Sequence, residues 1–127
     1  MSKINSKNSN LESIVRKYIF AKGFRFRKND KRYPGTPDIV LPKYNTAIFV
    51  NGCFWHGHYG CRKAKLPKTR TEFWKNKILS NIDRDKKNIA DLEMMEWNVI
   101  TIWQCELRNK NSRKNRLEKL EREILFS

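Results

Sequence analysis

Residues 50–61 read Val-Asn-Gly-Cys-Phe-Trp-His-Gly-His-Tyr-Gly-Cys, and the rest of the chain is organised around this stretch. It holds both histidines of the protein and two of its three cysteines. Cys53, His58 and Cys61 follow one another at short spacings, and Cys105 lies downstream. Zinc prefers a tetrahedral set of four Cys and His ligands. The pattern therefore predicts a structural zinc site formed by these four side chains.

The same stretch allows other interpretations. Buried cysteines often serve as small hydrophobic residues, so the thiols could lie in the core or on the surface without a metal. A catalytic zinc is disfavoured, because four protein ligands leave no open coordination position. His56 lies between the first two predicted ligands and is not needed by them, which makes its ring a candidate for chemistry.

Length and charge limit the function further. With 127 residues, the chain is expected to form one domain over 1–127. Its 28 basic and 13 acidic residues give a net charge of +15, which favours a polyanionic partner over a merely solvated basic surface. We find no apolar run that could span a bilayer and no signal peptide. Three cysteines without an export signal indicate a reducing cytoplasm, where metal binding is favoured over a disulfide.

The hydrophobic pattern predicts an α/β domain with a mixed central sheet flanked by helices. Residues 1–10 are polar and lack periodicity, so we expect a flexible N-terminal arm. A capping box at Ser9 and Glu12 predicts the start of a first helix, which Gly23 would end. The further predicted elements are strands over 24–27, 38–41, 46–50 and 97–103, a loop over 62–71, and helices over 72–95 and 112–125.

Asp38 is a second candidate for chemistry. It follows Pro34-Gly35-Thr36-Pro37 and opens a predicted strand, a position from which a carboxylate can hold a hard cation such as magnesium. Aspartate is also common in proline-rich turns without any such role. Together with His56 and the basic charge, however, Asp38 indicates a site that cleaves phosphodiesters, with magnesium stabilising charge and His56 deprotonating water.

The chain resembles the very short patch repair (Vsr) endonucleases, which are mismatch-specific DNA nickases, essentially from end to end. The block Gly52–His56, Gly-Cys-Phe-Trp-His, is highly specific. The full set of blocks that carry the resemblance is Pro34–Asp38, Phe49–His56, Thr69–Trp74, Asn81–Asp85, Trp97–Ile100 and Trp103–Glu106.

The resemblance implies a divergent PD-(D/E)xK nuclease core and roles for individual residues. Asp38 matches the magnesium-binding aspartate, and the backbone carbonyl of Val50 matches a second magnesium ligand. His56 matches the general base. Glu12 matches a first-helix carboxylate that hydrogen-bonds water at the metal, although it could instead serve mainly as the capping partner of Ser9.

Two further sets of residues match the family. Cys53, His58, Cys61 and Cys105 match its structural zinc ligands, in agreement with the spacing. Phe54, Trp55 and Trp74 match aromatic side chains that wedge into DNA beside the mismatch, although each could also pack in the core.

The chain departs from the general nuclease pattern at one place and from the best-known member of the Vsr family at another. The PD-(D/E)xK core usually has a carboxylate and a lysine on the strand that ends near Val50, and Ala47-Ile-Phe-Val50 has neither, a loss that the Vsr family shares. At Asn51 the best-known family member has a histidine. Asparagine does not titrate near neutral pH, which argues against proton transfer at this position.

We therefore expect a magnesium-dependent endonuclease with a structural zinc, acting as a monomer in the bacterial cytoplasm on nucleoid DNA. By resemblance, it nicks one strand on the 5′ side of the thymine of a T·G mispair and so initiates repair of deaminated 5-methylcytosine. A cytosine-5 methyltransferase and repair proteins are expected functional partners, and no membrane is. Two alternatives stay open: a sequence-specific nicking or restriction endonuclease of the same fold, and a catalytically silent, zinc-stabilised DNA-binding module.

Overall fold

The computed structural model describes residues 2–61 and 65–126, which form a four-stranded sheet packed against helices. The α-helices are α1 (Ser2–Ala21), α2 (Thr71–Met94) and α3 (Lys110–Leu125). The strands are β1 (Arg27–Lys28), β2 (Ile39–Leu41), β3 (Thr46–Asn51) and β4 (Asn98–Trp103), and short 3-10 helices cover Pro42–Tyr44 and Gln104–Leu107.

The sheet is mixed, as the sequence predicted. Its strand order is β1-β2-β3-β4, with β1–β2 and β2–β3 antiparallel and β3–β4 parallel. Parallel neighbours need a long crossover connection, and α2 lies in the segment between β3 and β4. Asn51 at the end of β3 pairs with Trp103 at the end of β4. The segments that follow these two strands therefore begin at the same edge of the sheet.

The helices cover the two faces of the sheet. Alternate side chains of a strand point to opposite faces. On one face Ile48 and Ile100 belong to a buried cluster with Ile19 of α1 and Leu120 of α3. On the other face α2 runs past β4, and its Ile89 lines a cleft together with Phe49 and Thr101.

Two sequence-based element boundaries were wrong. Helix α1 begins at Ser2, so Ser9 does not cap its start and residues 2–10 have helical backbone. The role of this segment as an arm stays a prediction. The predicted strand over 24–27 is replaced by the two-residue β1; Phe24 is buried by packing on the core, which explains the alternating pattern without strand pairing. Positions 62–64 of the predicted loop lie outside the described residues.

The other predicted strands and helices are confirmed, and their ends differ from the predicted ones by no more than two residues. Gly23, with φ +93°, follows the end of α1. Helix α3 starts two residues earlier than predicted because the Asn109 side chain accepts a hydrogen bond from the backbone N–H of Ser112, at 2.9 Å. An asparagine of this kind satisfies one of the unpaired donors at a helix start.

A buried arginine fastens α3 to the sheet. Arg116 has only 9% of its surface exposed, and its guanidinium pairs with Glu106 at 3.3 Å and with Glu123 at 2.9 Å. It also donates to the backbone carbonyl of Thr101 on β4, at 3.3 Å. Because Glu106 also accepts from the backbone N–H of Trp103, at 2.8 Å, this network holds the end of β4 in place.

Replacing Arg116 with Met should destabilise the fold, since two carboxylates would lose their partner. Each glutamate side chain is about a third exposed, so we expect a loss of about 2 kcal/mol in the free energy of unfolding, below the cost of stranding a fully buried charge. Urea denaturation measures this loss. Lys119→Met, at an exposed position of the same helix, is the control and should change stability by less than about 0.5 kcal/mol. Equal stabilities of the two variants would contradict the assignment.

Candidate active site and metal centre

A cleft of about 120 Å³ lies between α2 and strands β3 and β4. Its walls come from distant parts of the chain: the turn before β2, the end of β3, the loop after β3, the middle of α2, and β4. The polar side chains that line it include Asp38, Asn51, His56, Asp85, Asn88 and Thr101. The structure thus brings Asp38 and His56, which the sequence singled out separately, to one cavity.

Asp38 is a partly buried carboxyl group that is held by the neighbouring strand. Its Oδ2 accepts a hydrogen bond from the backbone N–H of Val50, at 2.6 Å. Burial, together with the nearby Glu12 carboxyl, raises the pKa of Asp38 to about 7, although the Val50 hydrogen bond and His56 act in the opposite direction. At neutral pH the Asp38 carboxyl group is therefore partly protonated, and a bound cation can take the place of the proton.

Glu12 completes an acidic pair with Asp38. Its side chain is 13% exposed and accepts a hydrogen bond from Arg16, at 2.9 Å. Since the helix starts at Ser2, Glu12 lies in its interior, and the alternative role as capping partner of Ser9 does not apply. Two partly buried carboxyl groups that repel each other offer the oxygen ligands that hard divalent cations prefer, so their chemistry fits such an ion.

His56 has a carboxylate partner on α2. Nδ1 of His56 and Oδ2 of Asp85 are 2.6 Å apart, and both side chains are partly buried. One helical turn earlier, the Asn81 side-chain amide donates to the backbone carbonyl of Trp55, at 2.8 Å. A ring nitrogen bound in this way fixes the tautomer and orientation of the histidine, and leaves Nε2 for proton transfer.

No role for Asp85 was predicted from the sequence. The residue stood in the quoted block Asn81–Asp85, and the spacing of Asn81 and Asp85 places both on one helix face. That i, i+4 spacing was the sequence feature from which a role for Asp85 could have been predicted. It was not distinctive, because α2 carries many charged residues, most of which are exposed to solvent.

The predicted metal ligands are brought together. The ligand atoms of Cys53, His58, Cys61 and Cys105 all lie within 4.8 Å of one another, so the four residues can hold a metal ion. Nδ1 of His58 is 3.5 Å from the sulfurs of both Cys53 and Cys105. The three cysteines form no disulfide.

The surroundings of this cluster support metal binding. The His58 ring stacks on Trp103 with centroids 4.0 Å apart, and the Gln104 side chain accepts from the backbone N–H of Cys53, at 3.2 Å. Burial raises the pKa of the Cys53 thiol to about 12 and also raises that of Cys105. Buried thiols become thiolates when a cation compensates their charge, so the cluster fits a thiolate-binding ion such as zinc.

Gly57 joins the two histidines and lies against α2. Its φ is +56°, and a Cβ at this position would approach Ile82 to 2.6 Å and Ile78 to 2.7 Å. Only glycine combines this backbone conformation with such close packing. The loop therefore presents His56 to the cleft and His58 to the metal cluster from a fixed point on α2.

Phe54, Trp55 and Trp74 form an aromatic cluster rather than part of the core. Their ring centroids are 5.2–5.5 Å apart in edge-on contacts, and all three side chains are partly exposed. Phe73, which is 47% exposed, extends the cluster, and the Arg70 guanidinium lies 4.4 Å from its ring centroid. The cluster joins residues 50–61 to the first turn of α2 and presents apolar surface beside the cleft.

Comparison with known proteins places this chain in the class of DNA endonucleases. A family model described as DNA mismatch endonuclease Vsr matches residues 1–63. The chain is 53% identical over 124 residues to the type II nicking enzyme V.NmeAIP of Neisseria meningitidis, covering 98% of this chain and 88% of the relative.

Two further relatives agree. The chain is 44% identical to the type II nicking enzyme V.XorIIP of Xanthomonas oryzae, covering 94% of this chain and 88% of the relative. It is 39% identical to the DNA mismatch endonuclease Vsr of Escherichia coli, covering 87% of this chain and 70% of the relative. The chain belongs to the Vsr family of endonucleases, a family that acts on DNA.

Within residues 2–61 and 65–126, no helix has the length and hydrophobicity needed to cross a membrane.

The raised pKa of Asp38 predicts a pH-dependent stability without divalent cations. The native pKa of about 7 exceeds the ordinary value of 3.8, so the native state binds the proton more tightly than the unfolded chain. The wild-type protein should therefore lose stability as the pH rises from about 4 through 7, relative to Asp38→Asn, which stays neutral. Thermal unfolding in chelator at pH 4, 6 and 8 measures the difference between the two midpoints. A difference that does not change with pH would be inconsistent with a raised pKa of Asp38 in the native state.

Proposed function

We propose that the protein is a magnesium-dependent DNA mismatch endonuclease that nicks one strand on the 5′ side of the thymine of a T·G mispair. This cut would initiate very short patch repair of deaminated 5-methylcytosine. The observation that carries the proposal is that the His56–Asp85 pair and the partly buried Asp38 line one cleft. The name of the Escherichia coli relative, a DNA mismatch endonuclease, supports the target.

His56 acts as the general base. With its Nδ1–H donated to Asp85, the ring takes up a proton from the attacking water at Nε2, and the Asp85 carboxylate stabilises the imidazolium that forms. Attack on phosphorus with departure of the 3′ oxygen leaves a 5′-phosphate and a 3′-hydroxyl. Asp85 is a positioning residue, since it acts through His56.

Asp38, Glu12 and the backbone carbonyl of Val50 form the magnesium site. Asp38 and the Val50 carbonyl would hold the ion, and the Glu12 carboxylate would accept hydrogen bonds from water at the site. When bound, magnesium stabilises the negative charge that develops on the phosphate oxygens. The Val50 N–H that binds Asp38 keeps one carboxylate oxygen in a fixed position, which favours a defined ligand geometry.

Phe54, Trp55 and Trp74 wedge into the duplex beside the mispair. Their partial exposure and mutual contacts give one preassembled apolar surface, and apolar wedges of this kind unstack and kink DNA. A mispaired step costs less to unstack than a matched one, so the wedge contributes to selectivity. The net charge of +15 supplies affinity for the phosphate backbone.

The cluster of Cys53, His58, Cys61 and Cys105 holds a structural zinc. The sheet is the core of a divergent PD-(D/E)xK nuclease, with Asp38 beside β2 and the cleft at the edge where β3 and β4 end. Residues 1–127 form one domain that works as a monomer, since only one strand is cut. In this proposal it acts on chromosomal DNA in the bacterial cytoplasm, in a functional link with a cytosine-5 methyltransferase and repair proteins.

Removing one zinc ligand should cost both metal and stability, because metal binding energy is partly folding energy. Cys105→Ser should contain less than one zinc per chain and unfold at a lower temperature than the wild type. Elemental analysis and thermal unfolding with and without chelator measure both effects. A wild-type protein that folds normally with no zinc at all would refute the assignment.

A second candidate differs only in the target. The relatives at 53% and 44% identity are named type II nicking enzymes, which favours an enzyme with the same site and a sequence-defined target. A catalytically silent DNA-binding module is disfavoured, because it would need neither the partly buried Asp38 nor the His56–Asp85 pair.

Strand-resolved nicking of matched and T·G-mispaired duplexes, with magnesium or with chelator, tests the proposal. We expect magnesium-dependent cutting on the 5′ side of the mispaired thymine only. Asp38→Ala should abolish cutting, and His56→Ala should slow it by about 10²- to 10⁴-fold. Asp83→Ala, at an exposed position of α2 outside the cleft, is the control and should cut normally.

The other outcomes separate the candidates. Equal cutting of both duplexes would keep the nuclease and favour the sequence-defined target. Normal cutting by Asp38→Ala would refute the site assignment. Tight DNA binding without any cutting by the wild type would leave the silent binding module as the better account.

A further inference from the structure

Helix α2 directs three polar side chains toward the site at helical spacing. Asn81, Asp85 and Asn88 lie at positions i, i+4 and i+7, which form one face of a helix. The first two have partners in the loop after β3: Asn81 binds the Trp55 carbonyl and Asp85 binds His56. Asn88 comes next along this face and lines the cleft that contains Asp38.

The Asn88 side chain is held in place by packing and has no polar partner among the residues that the structure describes. The turn before Asp38 lies directly on it, since a Cβ on Gly35 would come within 2.9 Å of the Asn88 Cβ and within 3.0 Å of its Nδ2. Gly35 has φ +78°, a conformation that favours glycine, and the absence of a side chain lets the turn pack closely on Asn88. Among the hydrogen bonds of residues 2–61 and 65–126, none involves the Asn88 side-chain amide.

The charges in the cleft make a neutral donor valuable there. Asp38 and Asp85 are both acidic, and the described residues that line the cleft include no lysine or arginine. A phosphate that enters must therefore be met by a cation at Asp38 and by uncharged N–H or O–H groups. An amide donates to a phosphate oxygen at every pH and does not compete with His56 for a proton.

We propose that Asn88 is a phosphate-binding residue whose Nδ2 donates a hydrogen bond to one non-bridging oxygen of the phosphate that is cut. This inference rests on the proposed nuclease function. Asn88 would hold the phosphate between the Asp38 side of the cleft and the His56–Asp85 pair, and its fixed side chain requires little reordering when DNA binds. The interaction is stereospecific, because a single donor reaches only one of the two non-bridging oxygens.

Single-turnover nicking of a T·G duplex by Asn88→Ala tests the inference. We expect the rate to fall on the order of tenfold, as for a hydrogen bond to a charged group. Asn76→Ala removes the same side chain from an exposed position of the same helix and should leave the rate unchanged. Alanine favours helix, so neither change should unfold α2.

Phosphorothioate substrates distinguish phosphate binding from a structural role. Sulfur at the oxygen that Asn88 binds weakens the hydrogen bond, so one diastereomer should show a smaller rate loss in Asn88→Ala than in the wild type. The other diastereomer should show the same loss in both proteins. Because each ratio of natural to sulfur-substituted rates is taken within one protein, partial unfolding cancels.

The outcomes separate this inference from the proposed function. A wild type that does not nick any duplex would overturn the function itself. If the wild type nicks and Asn88→Ala matches Asn76→Ala, the inference is wrong. It is equally wrong if Asn88→Ala is slower but both diastereomers keep their wild-type rate losses, since that result indicates only a structural contribution.

Discussion

The parallel pairing of β3 with β4 is the constraint on which the rest of the structure depends. Because the two strands run in the same direction, the segments after Asn51 and Trp103 start side by side. Cys105 can then meet Cys53 and His58 although about fifty residues separate them in sequence. A parallel pair also requires a crossover, and the crossover helix α2 is the element that supplies Asp85 to His56.

The cleft and the metal cluster both favour a bound cation, but they offer it different ligand atoms. In the cleft, burial and the neighbouring Glu12 make the ionised form of Asp38 costly, so a cation that replaces the proton gains binding energy. In the cluster, burial of Cys53 has the same effect on a thiol. The first site offers oxygen and the second offers sulfur and nitrogen, which is sufficient to separate a hard cation from a thiolate-binding one.

Much of the site could be predicted from sequence because its residues are chemically unusual where they occur. Two cysteines and a histidine at short spacing, with a third cysteine after the last strand, have few uses, and the structure brings all four together. The sheet was also predictable, because buried strands such as β3 have continuous apolar sequences. The start of α1 was not, since the capping signal at Ser9 competes with helix-compatible residues that precede it.

Asp85 and Asn88 were missed for a different reason. On a helix as rich in polar residues as α2, local sequence does not reveal which polar face meets the protein and which meets water. That choice is made by tertiary packing, here by the close approach of Gly57 to Ile78 and Ile82 and of Gly35 to Asn88. Long-range contacts of this kind leave no periodic signal in a single sequence.

Gly57 also restricts how this protein can evolve. The residue connects the two histidines and leaves no room for a side chain against Ile78 and Ile82, so a single substitution at this position meets both a steric barrier and an unfavourable φ. A smaller residue on α2 would have to come first, and that change alone would open a cavity. A side chain at position 57 therefore requires a compensating change on α2, so the loop and the helix are coupled at this position.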